Sequence, residues 1–332
     1  MKDFAGKIAF ITGGASGAGF GQAQIFSEAG MKVVIADVRQ DHLDEAMAYF
    51  KTKNAPVHAI KLDVTDREGY AAAADEVEKV FGKAPDLLVM TAGVNVFGPV
   101  EASTYDDFDW VVGICFGGVV NGLVTFVPRM IKAGVGGHIA ATVSWGAFGA
   151  SPMAAPYAAA KAGALNLLES YYMALKPYGI GVSALCPANI KSKIYETPLL
   201  NRPERYKNSG YNVNEKTQEF YAATQKHGME PRVLADWLKK GIEDELFLVI
   251  PYKSGPRMVE IEMERFPEYA SKEGIQRLEK KRSQPPTDEQ FAMMSEREGY
   301  EIKTNTQALF VNDAGFGKAK GDLGWVDPSK RL

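Results

Sequence analysis

The stretch KIAFITGGASGAGFGQAQIFSEAGMKVVIAD, residues 7–37, decides the fold. KIAFIT (7–12) is apolar on both faces, as a strand buried in a sheet must be, and FGQAQIFSEAG (20–30) has helical spacing ended by Gly30. Between them lies TGGASGAG (12–19), with Gly13, Gly17 and Gly19. Glycines there let the backbone approach a ligand closely, and the free N–H groups at the start of the helix favour a diphosphate. KVVIAD (32–37) is a second strand ending in an acid. Strand, glycine turn, helix and strand in this order predict a dinucleotide-binding unit, although the glycine spacing is wider than GxGxxG.

The same alternation continues outward. Strands are predicted in VHAIKLDV (57–64), DLLVMTAG (86–93), GHIAATVS (137–144), GVSALCP (181–187) and LFLVIP (246–251). Helices fall between them at 67–82, from about Tyr105 through Met130, over APYAAAKAGAL and onward, and at 233–245. Alternating helices and doubly apolar strands call for a doubly wound parallel sheet, the α/β class, with ligands at the carboxyl ends of the strands. Gly13, Asp37, Asp63, Gly93, Ser144 and Pro187 should therefore gather along one rim. Residues 1–252 read as the nucleotide-binding and catalytic domain. Residues 253–332, charge-rich and then Gly/Lys/Asp-rich, read as a mostly helical or irregular extension, a lid or an oligomer arm.

The chain has 332 residues and a formal net charge of −3, which argues against nucleic acid as a partner. Its two cysteines, Cys115 and Cys186, and four scattered histidines suggest neither a disulfide framework nor a metal site. No uninterrupted apolar stretch reaches the roughly 20 residues needed to span a bilayer, so no membrane partner and a cytoplasmic location are expected.

Chemistry is suggested by the alanine-rich helix. Tyr157 and Lys161 are four residues apart and so share a helix face. Alone, the pair is as well explained by packing with a snorkelling lysine. Its context at the rim is different, with Ser144 ending a strand thirteen residues before Tyr157. A phenol has a pKa of about 10, and a neighbouring ammonium, helped by the positive nicotinamide ring of an oxidised cofactor, favours the tyrosinate a general base requires. Ser144 can then fix a substrate oxygen beside Tyr157. Asp37 suits the ribose hydroxyls of NAD and would repel the extra phosphate of NADP, while Arg39 is the rival signal for NADP. Asp63 is either a turn cap or a partner for the adenine amino group.

TGxxxGxG, the acidic strand end, LDV, TAG, Ser, YxxxK and a proline after the following strand resemble the short-chain dehydrogenase/reductase family over residues 4–251. The resemblance implies a Rossmann-type NAD(P) oxidoreductase, usually a homodimer or homotetramer formed through the helices near Tyr105 and Tyr157. It implies a catalytic group of Ser144, Tyr157 and Lys161. Cofactor contacts are implied at Gly13, Ser16, Gly17, Ala18 and Gly19, at Asp37, Val38, Asp63 and Val64, at Thr91, Ala92 and Gly93, at Tyr157 and Lys161, and at Pro187, Ile190 and Ser192. Ala188 stands where the family usually has glycine. ITGGASGAGFGQA, TAGVNVFGP, TYDDFDW, NGLVTFVPRM and PANIKS are further similar to bacterial Cα-dehydrogenases that oxidise the benzylic secondary alcohol of lignin-type β-aryl ethers with NAD. Trp145, Phe148, Tyr195 and Tyr206 are candidates for an aryl pocket or for core.

Two departures stand out. ICFGGVVNG places Cys115 where the family has an asparagine that supports a helix distortion and a water relay to the lysine, and MTAG replaces NNAG at Met90–Gly93. A weakened proton relay is expected. Asn121, six residues on, falls on another helix face. The alternatives are another bulky alcohol, such as a hydroxysteroid, or a catalytically weakened nucleotide-binding member.

Overall fold

The computed structural model describes residues 1–251 apart from 150, 152, 212–214, 216–218, 220, 221, 224, 226 and 227. The expected extension, 253–332, lies outside the described residues. Seven strands, β1 (Ile8–Thr12), β2 (Lys32–Asp37), β3 (Val57–Lys61), β4 (Leu87–Met90), β5 (Gly137–Thr142), β6 (Ile180–Leu185) and β7 (Leu248–Val249), form one sheet of order β3-β2-β1-β4-β5-β6-β7. Every pairing is parallel. The order reverses between β1 and β4, the crevice where such sheets bind nucleotides.

Successive side chains of each strand go to opposite faces, and both faces are covered. Ile8 and Phe10 of β1, with Leu88 and Met90 of β4, pack into one core layer beneath α3 (Arg67–Phe81), α5 (Gly118–Ala133) and α6 (Ala155–Leu175). Ala9 and Ile11, with Leu87 and Val89, pack into the other, beneath α1 (Gly17–Glu28), α2 (Gln40–Thr52) and α8 (Pro231–Glu243). Burial on both sides explains why the strands read as unbroken apolar runs. Met90 is thus a core residue, 2% exposed, rather than a lost cofactor anchor.

The helix expected over Tyr105–Met130 is not uniform. It comprises α4 (Tyr105–Val112), one wide π turn over Gly113–Gly117, and α5. The whole stretch Tyr105–Ala133 is long and apolar enough by average composition to cross a membrane, but half of its most apolar window is buried in the protein. Val119, Leu123, Phe126 and Met130 form part of the first core layer. A short helix α7 (Thr197–Leu200) follows β6.

Candidate active site

The glycine turn is shaped by contacts that leave no room for side chains. Gly13 has φ +64°, and a Cβ there would lie 2.8 Å from Ala92 Cα; one at Gly19 would lie 2.0 Å from the Gly13 oxygen. The turn therefore seats directly on the end of β4 with the start of α1 behind it. A cleft of about 500 Å³ opens above this rim. Gly13, Ser16, Gly17, Ala18 and Gly19 form its floor, with Asp37, Val38, Asp63 and Val64 on the β2 and β3 side. Thr91, Ala92 and Gly93 follow β4, and Ser144, Tyr157, Lys161, Pro187, Ile190 and Ser192 complete the other side. The structure brings all of these expected site residues to one cleft.

The cleft has the features a dinucleotide requires. Among the described residues the buried Ser192 Oγ has no hydrogen-bond partner, and a Cβ at Gly17 would lie 3.1 Å from Ser192 Cβ, so Ser192 packs directly against the glycine turn. Asp37, 9% exposed, accepts the Arg39 N–H at 3.1 Å. Burial raises its pKa, against the pull of the Arg39, Ala15 and Val38 N–H groups and of His42. Arg39 is committed elsewhere, as its Nε donates to Asp41 Oδ1 at 2.9 Å and its Nη2 pairs with Asp41 Oδ2. The arginine that rivals Asp37 in sequence is therefore already occupied by a carboxylate. Asp63 Oδ1 takes the Thr65 N–H at 2.9 Å and its hydroxyl at 2.8 Å, a turn cap, while the residue still lines the cleft. Backbone bonds between Lys191 N and Met229 O and between Met229 N and Asn189 O, both 2.9 Å, fix the loop carrying Ile190.

At the chemical end, Ser144 is extended and caps a short turn over Trp145–Ala147, its Oγ accepting from Gly146 N at 3.0 Å. Lys161 is 4% exposed and donates to the Thr142 carbonyl at 2.7 Å, so it does not snorkel to solvent. Its ammonium lies 5.5 Å from the Tyr157 ring centroid. Burial raises the Tyr157 phenol above its ordinary pKa, and the Lys161 charge and a Ser144 hydrogen bond pull it back without winning. Lys161 lowers it as the sequence suggests, but among the chain's own groups desolvation is the larger effect.

Cys115 lies behind the wall rather than on it, fully buried in the middle of the π turn. Its Sγ donates to the Val94 carbonyl at 3.2 Å and accepts the Val94 N–H at 3.4 Å. A Cβ at Gly93 would sit 3.6 Å from that sulfur and 3.7 Å from Lys161 Nζ, which makes the three neighbours. The helix distortion expected to lose its support is therefore present, with the thiol in the supporting place. Burial raises the thiol pKa despite Lys161 and the Val94 N–H, so Cys115 is a neutral donor and no nucleophile. Asn121 is turned away, its Nδ2 bonded to Val64 O at 2.9 Å.

The family model described as short chain dehydrogenase matches residues 7–199. The chain belongs to the short-chain dehydrogenase family. A C alpha-dehydrogenase of Sphingobium sp. (strain NBRC 103272 / SYK-6) is 55% identical over 252 residues, covering 76% of this chain and 82% of that relative. The apo crystal structure of LigD from Sphingobium sp. strain SYK-6 superposes with TM-score 0.64 at 44% identity, covering 86% of this chain and 100% of that one. A short chain dehydrogenase/reductase from Burkholderia phymatum, solved in complex with NAD, gives TM-score 0.70 at 29% identity over 76% of this chain and 91% of that one.

Of the four aromatic pocket candidates, only Trp145 lines the cleft. Phe148 packs on the first core layer, Tyr206 packs beside Trp110 and Val111, and Tyr195 is half-buried off the wall. Core and pocket ask for the same aromatic surface, so composition does not separate them. The walls that sequence missed include Asn95, Phe97 and Trp110. Asn95, two residues past the strand-end Gly93, could have been found from its place at the rim; Trp110 reads as an ordinary apolar helix position.

Proposed function

We propose that this protein is an NAD-dependent dehydrogenase that oxidises a bulky benzylic secondary alcohol of the lignin β-aryl ether type to its ketone. The observation that carries the reading is the 55% identity to a C alpha-dehydrogenase in a chain whose cleft holds Ser144, Tyr157 and Lys161 together. NAD in the cleft supplies the acceptor for the hydride leaving the carbinol carbon. The glycine turn and Ser192 hold its diphosphate and nicotinamide end, and Asp37 holds its ribose hydroxyls, with Arg39 kept from a 2′-phosphate by Asp41.

Ser144 donates its hydroxyl proton to the substrate oxygen and fixes that oxygen beside Tyr157. As tyrosinate, Tyr157 takes the proton of the substrate hydroxyl. Burial opposes the tyrosinate, and the Lys161 ammonium is the chain's own counterweight. Because Lys161 is anchored on the Thr142 carbonyl, its charge stays beside the phenol. Cys115 acts through Val94, keeping the wall next to Lys161 in place.

Exposed apolar side chains on three helices support a homodimer or homotetramer: Tyr105 on α4, Val124 on α5 and Met173 on α6 are 89%, 63% and 63% exposed. Two unbridged buried thiols fit the reducing cytoplasm. Residues 1–252 serve as the catalytic domain, completed by β7, and 253–332 as a lid or oligomer arm. Purified protein given NAD or NADP with benzylic aryl ether alcohols and steroid alcohols, followed by NADH absorbance, tests the reading. Turnover of the aryl ethers with NAD is expected, and steroid turnover alone overturns it.

A further inference from the structure

The stretch TYDDFDW (104–110) opens α4, and one of its acids does more than a helix start requires. Thr104 and Asp107 form a capping box, in which Asp107 Oδ2 accepts the Thr104 N–H at 2.9 Å. An aspartate is almost never fully buried unless it is paired. Asp107 is fully buried, and its further donors come from one distant segment. Arg202 Nη2 and Ser209 Oγ donate to Oδ1 at 2.8 and 2.7 Å, and Gly210 N donates to Oδ2 at 3.2 Å. Burial works against the ionised carboxyl, and the bonds from Ser209, Thr104 and Arg202 outweigh it and hold its pKa below the ordinary value.

The segment so held, 201–211, supplies a wall of the cleft. Asn201 and Pro203 line it, as does Trp110 on α4. Arg202, between the two in sequence, points into the protein: its side chain is 4% exposed and its guanidinium carbon lies 5.1 Å from the Trp110 ring centroid. The ion pair with Asp107 therefore stands behind the wall that Asn201, Pro203 and Trp110 present. Other contacts tie the same segment down. Thr104 Oγ1 donates to Asn208 O at 2.5 Å, and Arg202 Nε donates to the Tyr206 carbonyl. A Cβ at Gly210 would lie 1.5 Å from Ala102 O, and one at Gly98 would lie 2.2 Å from Tyr211 Cδ1, so the chain before α4 and this segment touch with no room for a side chain between them. Tyr157 and Tyr206 pack against the cluster that contains Trp110 and Tyr211, which puts this wall at the chemical end of the cleft.

We propose that Asp107 and Arg202 are positioning residues that together hold 201–211 as the wall gripping a bulky substrate beyond its reacting carbon, and so set the preference for bulky over small alcohols. The proposal rests on the alcohol oxidation proposed above. Neither residue touches the substrate in this arrangement. A carboxylate is needed rather than an amide, because both its oxygens receive donors and an amide would turn its NH₂ against one pair of them. A guanidinium is needed because it bonds Asp107 and the Tyr206 carbonyl through separate nitrogens while lying over the indole. Removing Arg202 leaves the carboxylate with its Thr104, Ser209 and Gly210 donors, so the start of α4 stays formed while the wall loses its tie.

The test compares the full chain as wild type, Asp107→Asn and Arg202→Met on two secondary alcohols: a lignin-type β-aryl ether alcohol, and 1-phenylethanol, which lacks the ether arm. The readouts are kcat and KM with NAD, the NADH Kd by fluorescence, the Kd of each alcohol on the NADH complex by calorimetry, and hydrogen exchange in the peptide 203–211. In both variants that peptide should exchange faster. The aryl ether kcat/KM should fall about tenfold or more, through KM, since misplacing a positioned element costs up to about 100-fold. Kinetics on 1-phenylethanol and the NADH Kd should hold, whereas general damage to the protein lowers both alcohols by the same factor. Arg202→Met alone decides where Asp107→Asn does not fold. An unchanged ratio between the two alcohols, whether both fall or neither does, overturns the proposal and leaves the oxidation reading standing. So does a ratio that shifts without faster exchange. Aryl ether binding that the variants weaken, with no turnover of either alcohol by wild type, upholds the wall and overturns the oxidation. Neither binding nor turnover in wild type overturns both.

Discussion

Replacing Lys161 with methionine removes a buried charge while keeping a side chain of similar length. The ammonium lies 5.5 Å from the Tyr157 ring centroid. A unit charge at that separation, at an effective dielectric of about 20, is worth about 3 kcal/mol to a tyrosinate. That corresponds to about 2 pKa units at about 1.36 kcal/mol each. Tyr157 already sits above its ordinary pKa through burial, so losing the charge moves it further up. In Lys161→Met the apparent pKa governing kcat/KM should rise by about 2 units. Alcohol oxidation at neutral pH should fall about 100-fold and recover in alkali. The assay is the pH profile of NADH formation, with the NADH Kd taken separately by fluorescence to subtract any loss of cofactor grip. A profile that falls in height with its inflection unmoved would refute the electrostatic role and leave Lys161 as a cofactor ligand only.

Three other perturbations follow from the same geometry. Cys115→Ala strips both Sγ bonds from the buried Val94 backbone; a cost of about 1–3 kcal/mol is expected, read as a Tm lower by about 2–10 °C. Cys115→Asn, whose amide can replace both bonds, should keep stability and rate, and an unchanged Tm in the alanine variant would remove the thiol from any supporting role. Asp41→Ala frees the Arg39 guanidinium and should raise the ratio of NADP to NAD affinity, while Asp37→Ala should weaken NAD far more than NADP; titrations showing an unmoved ratio in both would take the β2 end out of cofactor choice. His138, buried on β5 with its Nε2 2.9 Å from Ser183 Oγ of β6, has its pKa lowered by burial from 6.5 to about 3. The unfolded chain takes up this proton at higher pH than the native one, so stability is fully present above about pH 6.5 and drains as pH falls toward about 3, by on the order of 5 kcal/mol. Denaturant melts across that range should show the loss in wild type and less of it in His138→Phe; matching slopes would refute the assignment.

How far the sequence could be read depends on what kind of interaction each position serves. Strands such as IAFIT and LLVM are legible because a parallel sheet covered on both faces demands unbroken apolar runs, and the crevice follows from strand order. The rim residues are legible because they occupy strand ends at fixed offsets. The π turn is not, since Gly113, Gly117 and Gly118 permit a change of hydrogen-bond register without requiring one, and the apolar pattern runs straight through it. Arg39 misleads because its partner is a side chain two residues on rather than a ligand. Half of the balance at Tyr157 is legible: the lysine is visible in sequence, whereas the desolvation that opposes it exists only once the helix is buried.

What the asparagine position needs can be derived from the wall it supports. After β4 the chain leaves the ladder, and its backbone polar groups must be met by something else. Cys115 Sγ meets both polar groups of Val94, and Thr197 Oγ1 accepts the Asn95 N–H at 3.4 Å while donating its one proton to Ile194 O at 2.7 Å. Independently, Lys161 hangs on the Thr142 carbonyl, while Thr142 Oγ1 is tied to Thr91 Oγ1 at 2.7 Å and to the buried Gln22 Nε2 at 3.1 Å, which anchors the lysine to α1 under the glycine turn. The requirement at position 115 is therefore a side chain that donates and accepts at once within a tight space. A neutral thiol does this as an amide does, and burial keeps it neutral. An aliphatic residue of the same size would fill the space and release Val94, so it is the loss of hydrogen bonding, rather than the loss of asparagine itself, that would loosen the wall beside Lys161.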